Sequence, residues 1–251
     1  MTRSEVKAKT SGLLLRFVLV TPLFFFPAIV ALPMTGWTAV FVNDSFMDIA
    51  GTNLTSHTGE TGATWTKVTG ITGDTFIDSN NAAHGHAGSD SLHYASGTPA
   101  SADYDVQATF LGEYSDAGII GIAGRLSTSA KTGYFAYWDH SSHTWRLSLF
   151  NGGTETILAN DGAATFYADG APYTIVLKMR GTSIELWRNG SLYLSATDSR
   201  VNSAGKAGIY WKNSDWATAP NYNTAGRSLD NFTATDASSG PRTRMPKGNA
   251  Q

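Results

Sequence analysis

The sequence predicts an all-β protein built as an antiparallel β-sandwich of the jelly-roll type. Glycine accounts for 26 of the 251 residues and charged residues for only 15%, a composition typical of many short strands joined by tight turns. A hydrophobic content of 41% is enough to form a sizeable core. The sequence shows about a dozen strand patterns and no convincing amphipathic helix.

Two segments show the strand pattern most clearly. Tyr104–Phe110 alternates along its length, and Tyr173–Arg180 places Ile175, Leu177 and Met179 on one face with mostly polar side chains on the other. This alternation predicts a sheet with one solvated face. Further strands are predicted at Ile119–Leu126, Tyr134–Trp138, Thr144–Phe150, Ser183–Trp187, Ser191–Leu194 and Ala207–Trp211, and a closing strand from Leu229.

Turn chemistry supports the same architecture. Asn189-Gly190 stands between two strand patterns, and this dipeptide is the strongest short hairpin signal because a type I′ turn needs two residues that tolerate positive φ. Asn151–Gly153 and Gly181-Thr182 predict two more hairpins for the same reason. The regular spacing of strands and turns favours a sandwich over two separate small domains.

The charge is unevenly distributed along the chain. Residues 1–16 carry four basic side chains and one acid, and the tail from Ala237 carries three basic side chains and no acid. The central region therefore holds 11 basic against 19 acidic side chains, which makes it a poor candidate for phosphate backbones, and we expect no nucleic-acid partner. The sequence has no cysteine, so disulfides, thiol catalysis and cysteine-ligated zinc are excluded.

Residues 1–36 are predicted to be a separate apolar N-terminal segment. A basic start followed by the apolar residues 12–34 has the shape of a secretory signal peptide or signal anchor. Arg16 and three prolines interrupt the run, and Phe17–Leu32 is shorter than the roughly 20 residues of a spanning helix. Two alternatives stay open: an upstream extension with a start at Met34, and an arm from Leu13 to Leu32 that contacts a membrane or a partner subunit.

The remaining boundaries follow from composition. Residues 37–236 are predicted to form the sandwich, and residues 237–251 to form a basic flexible tail. The sequence also leaves a homo-oligomer open, because an N-terminal arm can assemble copies of one chain.

Four groups of motifs resemble the concanavalin A-like lectin and glucanase superfamily in its laminin-G-like form. They occur at Asn43–Asp48 with Trp65, at Gly118–Arg125 with Gly133–Tyr137, at Tyr173–Gly181 with Ile184–Gly190, and at Gly205–Tyr210 with Leu229–Ala234. The resemblance covers roughly residues 40 to 236. It implies two curved antiparallel sheets, with a concave face and rim loops where sugars often bind. These motifs are strand and turn patterns, so they indicate fold more than function.

The acidic pattern of the superfamily's glucanases, Glu-x-Asp-x-(x)-Glu on one strand, is absent. Such enzymes need two carboxyl groups on either side of a glycosidic bond. Glu185 has no acidic partner on its strand, and Asp103 and Asp105 are followed by no glutamate. No Gly-x-Ser-x-Gly elbow or glycine-rich phosphate loop occurs either. We therefore expect no enzymatic activity, with a glycoside hydrolase or lyase of unusual site as the alternative.

Histidines and acids offer a weaker metal hypothesis. His84 and His86 precede Asp90 and His93, and this spacing can bind a metal, although a polar loop explains it as well. No cofactor is predicted. Calcium is the alternative, because many folds of this type bind it and oxygen donors are present at Asp74, Asp78 and Asp215.

The strongest candidate site is the segment 210–226, which holds four aromatic rings among small polar residues. It is longer than most sandwich connections, and long loops in compact domains are often functional. Rings stack on the apolar face of a pyranose, while amides and carboxylates bond its hydroxyls. The predicted carbohydrate-binding residues are Trp211, Asn213, Asp215, Trp216, Asn221 and Tyr222. The alternative is that Trp211 and another ring fill the end of the sandwich.

A second candidate is the turn from Trp138 to Trp145, although both tryptophans lie on strands and fit a core equally well. The prediction is thus a non-catalytic carbohydrate-binding or adhesion module, secreted or displayed at the cell surface, with a glycan partner. The alternative is a phage-like virion structural or decoration protein that docks through its apolar N-terminus.

Overall fold

The computed structural model describes residues 38–85, 90–111, 118–162, 172–212 and 228–238, which form fifteen strands and one short 3-10 turn at Leu54–Ser56. The strands are β1 Val40–Asp44, β2 Trp65–Lys67, β3 Thr75–Ile77, β4 Ala83–Gly85, β5 Ser91–Ala95, β6 Tyr104–Leu111, β7 Ile119–Leu126, β8 Gly133–Asp139, β9 Thr144–Asn151, β10 Thr154–Asn160, β11 Tyr173–Arg180, β12 Ser183–Arg188, β13 Ser191–Thr197, β14 Lys206–Lys212 and β15 Ser228–Asp236.

The strands form two antiparallel sheets. The eight-stranded sheet has the order β13-β12-β11-β6-β15-β4-β3, with β1 also paired to β15. The seven-stranded sheet has the order β10-β9-β8-β7-β14-β5-β2. The pairs β7–β14 and β6–β15 join strands that are distant in sequence. This is the predicted all-β sandwich.

The core fills the space between the two sheets. Its largest side chains from the seven-stranded sheet are four tryptophans, which are all at most 2% exposed: Trp65, Trp138, Trp145 and Trp211. Phe110 and Phe232 of the eight-stranded sheet meet this layer edge to face, at 5.5 Å from the ring of Trp145 and 5.0 Å from that of Trp65. Burial of such aromatic side chains is the main stabilising contribution in a sandwich that has no disulfide.

The predicted alternation and hairpins are confirmed. In β11, Ile175, Leu177 and Met179 are buried, while the residues between them are partly exposed. The β12–β13 hairpin turns at Asn189 and Gly190, whose φ angles of 48° and 78° match the type I′ turn. Gly152 and Gly153, at 59° and 88°, close the β9–β10 hairpin in the same way.

The terminal segments of the prediction lie almost wholly outside the described residues. Residues 1–36 are not described, and only two residues of the predicted tail are. Within the described ranges, no helix is long and apolar enough to cross a bilayer. The assignments of residues 1–36 and 237–251 therefore stay predictions.

Candidate functional site at the rim of the seven-stranded sheet

Strand register places the β8–β9 turn and Lys212, the last described residue before the greater part of the predicted aromatic segment, at one end of the seven-stranded sheet. Ile119, the first residue of β7, pairs with Asp139 of β8 on one side and with Lys212 of β14 on the other. Asp139 in turn pairs with Thr144 of β9. Because neighbouring strands lie about 4.8 Å apart, the backbones of Asp139 and Lys212 are about 10 Å apart. The β8–β9 turn and the segment that begins after Lys212 thus start from the same rim.

The β8–β9 turn has a defined backbone. Asp139 accepts hydrogen bonds from the backbone N–H of Ser141 at 2.9 Å and from its hydroxyl at 2.6 Å. His143 has a left-handed φ of 51°, and its N–H donates to the carbonyl of His140. The N–H of His140 donates to the carbonyl of Gly118, which ties the turn to the start of β7. Ser141 itself is exposed in this closed arrangement.

Arg146 connects the turn to the face of β9. Its guanidinium donates to Asp139 at 3.0 Å, to the hydroxyl of Ser142 at 2.9 Å and to that of Thr144 at 3.2 Å. Burial alone would raise the pKa of Asp139, but hydrogen bonds from Ser141 and the charge of Arg146 hold it below its usual value. The result is a fixed ion pair surrounded by hydroxyl groups.

The polar network continues along the same face. The hydroxyl of Tyr137 and that of Ser148 both donate to one carboxylate oxygen of Glu155, the latter at 2.8 Å. Burial and the neighbouring Glu155 raise the pKa of Tyr137 well above its usual value. Tyr137 is therefore a hydrogen-bond donor at neutral pH and a poor general base. We call this set the polar strip: Tyr137, Asp139, Ser142, Thr144, Arg146, Ser148 and Glu155.

Aromatic side chains in the middle of this face pack on one another. The rings of Phe135 and Phe150 are 4.7 Å apart, and Tyr210 lies 5.3 Å from Phe135. The ammonium of Lys131 lies 4.1 Å from the ring centre of Tyr210 and donates to its hydroxyl, and it also pairs with Asp90 at 3.0 Å. Burial lowers the pKa of Lys131. These rings are occupied by an internal cation, so sugar stacking would have to use rings elsewhere.

The residues predicted to bind carbohydrate divide into two groups. Trp211 is only 1% exposed, and its ring packs in the core so closely that a side chain at Gly85 would overlap it. Trp211 is therefore a core residue and not a carbohydrate-binding residue, so this part of the predicted site is wrong. Its burial agrees with the alternative prediction that its ring fills the end of the sandwich. The other five lie outside the described residues: Asn213, Asp215, Trp216, Asn221 and Tyr222. Trp138 and Trp145 are also core residues.

The predicted metal donors have structural partners. His84 and His93 are both buried, and His93 lies beside the hydroxyls of Thr75 and Ser91. Asp74 pairs with Lys67, and Asp78 accepts from the N–H groups of a turn. Over the described ranges, no three histidine or acidic side chains are placed to share a metal ion. His86 and Asp215 lie outside those ranges. Calcium binding therefore stays a prediction.

The candidate acids for hydrolysis are also engaged. Asp103 accepts from the N–H of Gly181 at 2.7 Å, and Asp105 pairs with Arg180 at 2.8 Å. Glu185 accepts from the indole of Trp187 at 2.6 Å. Each of these carboxylates forms a hydrogen bond or an ion pair that fixes a turn or a strand face.

Sequence reasoning did not identify the polar strip. The signal was present, because Tyr137 and Asp139 alternate with the core residues of β8, and Thr144, Arg146 and Ser148 alternate with those of β9. What identifies the strip is the pairing of β8 with β9, which places both polar rows on one face.

The chain matches no protein-family model and no curated protein sequence. Solved structures do match. One is the carbohydrate-binding module CBM66 from Bacillus subtilis, with a TM-score of 0.54 and 19% identity over 68% of this chain and 94% of that chain. A second is a protein of unknown function with a galectin-like fold from Bacillus subtilis, with a TM-score of 0.52 and 14% identity over 80% of this chain and 97% of that chain.

A third match is the exoplasmic/lumenal domain of VIP36 in its Ca²⁺/Man2-bound form, with a TM-score of 0.50 and 9% identity over 74% of this chain and 86% of that chain. The chain thus shares the antiparallel β-sandwich fold of these proteins. At these identities the likeness establishes the fold alone.

Proposed function

We propose that this protein is a non-catalytic carbohydrate-binding module whose site is the rim of the seven-stranded sheet. The observation that carries the proposal is the register Lys212–Ile119–Asp139–Thr144. Lys212, after which the segment with Trp216 and Tyr222 begins, lies two strands away from the β8–β9 turn and its fixed polar groups, and this supports the proposal.

The chemistry of the rim suits a sugar. Carbohydrate sites combine a few fixed polar groups with aromatic rings, because pyranoses have both hydroxyls and an apolar face. The Arg146–Asp139 pair and the hydroxyls of Ser141 and Ser142 supply fixed donors and acceptors. In the proposal, Trp216 and Tyr222 supply the rings, and Asn213, Asp215 and Asn221 supply further polar contacts.

A binding role is favoured over hydrolysis by the state of the polar strip. Asp139 is held ionised beside Arg146, and its pKa is lowered, so it is unsuited to donate a proton to a leaving group. The raised pKa of Tyr137 keeps its phenol protonated. A general acid would have to be a group other than Asp139 and Tyr137.

The similar structures support the proposal at the level of fold. They include a carbohydrate-binding module and a domain in a Ca²⁺/Man2-bound form. We extend sugar binding to this chain as a proposal, and the Ca²⁺-bound form of the second protein is the reason to test calcium. Secretion or display, at a cell surface or on a virion, belongs to the same proposal and rests on the basic and apolar start of the sequence.

The direct test is a glycan array with the full chain, run with and without calcium. We expect binding to at least one glycan, and a loss of tenfold or more for Trp216→Ala/Tyr222→Ala, since one stacked ring contributes about 1 kcal/mol or more. Trp187→Ala is the matched control, because Trp187 is half-buried on the outer face of the other sheet.

Binding that survives the double substitution would place the site elsewhere. If no glycan bound in either buffer, the particle-protein alternative would be preferred. If binding depended on calcium, the ion would need a site that the described residues alone do not form.

A further inference from the structure

A cavity lies at the end of the seven-stranded sheet opposite the rim. It encloses about 340 Å³ where β7 ends and β14 begins, at the paired residues Leu126 and Lys206. The seven residues of β14 separate it from Lys212 at the rim by about 20 Å. We call this cavity the end pocket. Its volume lies in the range of small-ligand sites.

The pocket has a rigid floor. Arg125 lies at a register shift between β7 and β14 and has a left-handed φ of 47°, a strained geometry that often occurs at functional sites. Its guanidinium is fully buried and donates to the carbonyls of Ala102 and Val201, both at 2.8 Å, and of Gly181 at 2.9 Å. Arg125 thus connects three loops, which are β5–β6, β11–β12 and β13–β14. The β5–β6 and β13–β14 loops form walls of the pocket.

Lys206 is the second cation that lines the pocket. The ammonium of Lys206 donates to the carbonyls of Ser96 and Gly97 and to the hydroxyl of Thr98, at 2.8, 3.1 and 2.6 Å. All three of its donors are therefore used, and those of Arg125 are nearly so. Because nearly all of these donors are used within the protein, the two cations have little hydrogen-bonding capacity left for an anion. A ligand in this pocket would bond mainly to other polar groups, which suits a neutral molecule.

The polar groups left for a ligand are hydroxyls. Ser127, Thr128, Thr132 and Ser203 line the pocket. Thr128 and Ser203 are exposed, and neither of their hydroxyls has a hydrogen-bond partner among the described residues. Val201 and Ala204 add apolar surface. Hydroxyls beside apolar patches match a molecule with the same mixture.

We propose that the end pocket is a second binding site, which takes a neutral polyhydroxy ligand about the size of a monosaccharide. Thr128 and Ser203 bond its hydroxyls, and Val201 and Ala204 contact its apolar face. The proposal is independent of the rim, because the two sites share no residue.

The test is a titration of the isotope-labelled full chain with D-glucose, D-galactose, D-mannose and D-fructose, followed by amide NMR. We expect saturable shifts at residues 126–128 and 203–206 with at least one sugar. Thr128→Val/Ser203→Ala should weaken this binding about tenfold, since each hydrogen bond contributes about 1 kcal/mol or less. The control Thr182→Val/Ser191→Ala removes two exposed hydroxyls elsewhere and should change nothing.

Three results would overturn the proposal: no saturable shift at these residues with any of the four sugars, equal binding by the double variant, or tighter binding of D-glucuronate than of every neutral sugar. Trp216→Ala/Tyr222→Ala separates the two sites. If it abolishes glycan-array binding and leaves these shifts intact, both proposals stand, and either can fail without the other.

Discussion

At the scale of single residues, His57 is held between two carboxylates. Its Nε2 lies 2.9 Å from Asp44, and its Nδ1 lies 3.0 Å from Asp48. Asp44 also accepts from the indole of Trp65 at 2.6 Å. Burial lowers the pKa of His57, but the hydrogen bonds to Asp48 and Asp44 outweigh it and raise the pKa above its usual value. A protonated imidazole can donate to both acids at once.

His57→Gln should lower the free energy of unfolding most at low pH. Because the folded-state pKa of His57 is raised, its contribution is fully present below about pH 6.5 and is lost as pH rises through that raised pKa. We expect a cost of about 3 kcal/mol at pH 6 that shrinks towards pH 8, measured by urea unfolding. A cost that is the same at both pH values would mean that the charge of His57 is irrelevant.

His93 acts in the opposite direction. It is fully buried on the core face of β5, and burial lowers its pKa to about 4. Between pH 6.5 and 4 the unfolded chain takes up a proton that the folded chain does not, so stability falls by up to about 3 kcal/mol over this range. His93→Gln should flatten that part of the pH profile. An unchanged slope between pH 6.5 and 4.5 would contradict this assignment.

At the scale of elements, two glycines of β7 face different neighbours. A Cβ at Gly121 would overlap the carbonyl of Ala136 and the backbone of Tyr137 in the paired strand β8. A Cβ at Gly124 would meet the end of the Met179 side chain from the other sheet. A thioether can rotate away, whereas a paired backbone cannot.

Gly121→Ala should therefore destabilise the protein by about 1–3 kcal/mol, as overpacking does. Gly124→Ala, on the same strand, should cost clearly less, because Met179 adapts and alanine reduces the entropy of the unfolded chain. Chemical denaturation of both variants gives the comparison. Equal losses would show that both glycines are needed for the strand itself.

Most elements could be predicted from the sequence, because their signals are local. The β12–β13 hairpin is specified by Asn189-Gly190, and the face of β11 by its alternation. The rim could not be predicted, because it depends on β7 pairing with β14, some eighty residues later, and no local pattern encodes that register. The burial of Trp211 could not be predicted for a related reason. The alternation of side chains in β14 does not show which face of the strand packs against the other sheet.

At the scale of the whole molecule, the sandwich presents two ends with different chemistry. The rim combines an ion pair, hydroxyls and the start of an aromatic segment, while the end pocket offers neutral hydroxyls over two engaged cations. The stabilising contribution of His57 is lost as pH rises above about 6.5, and that of His93 is lost as pH falls below it. Together the two groups favour a maximum in the free energy of unfolding near pH 6.5.

The central claim is that the rim binds carbohydrate, and fluorine NMR tests it most directly. The full chain is labelled with 5-fluorotryptophan at its seven tryptophans, and each resonance is assigned by a Trp→Phe variant. Each glycan bound on the array is then added. We expect a saturable shift of Trp216 and no direct effect on Trp65 or Trp187. A shift of Trp187 without one of Trp216, or no shift of any tryptophan, would contradict the account.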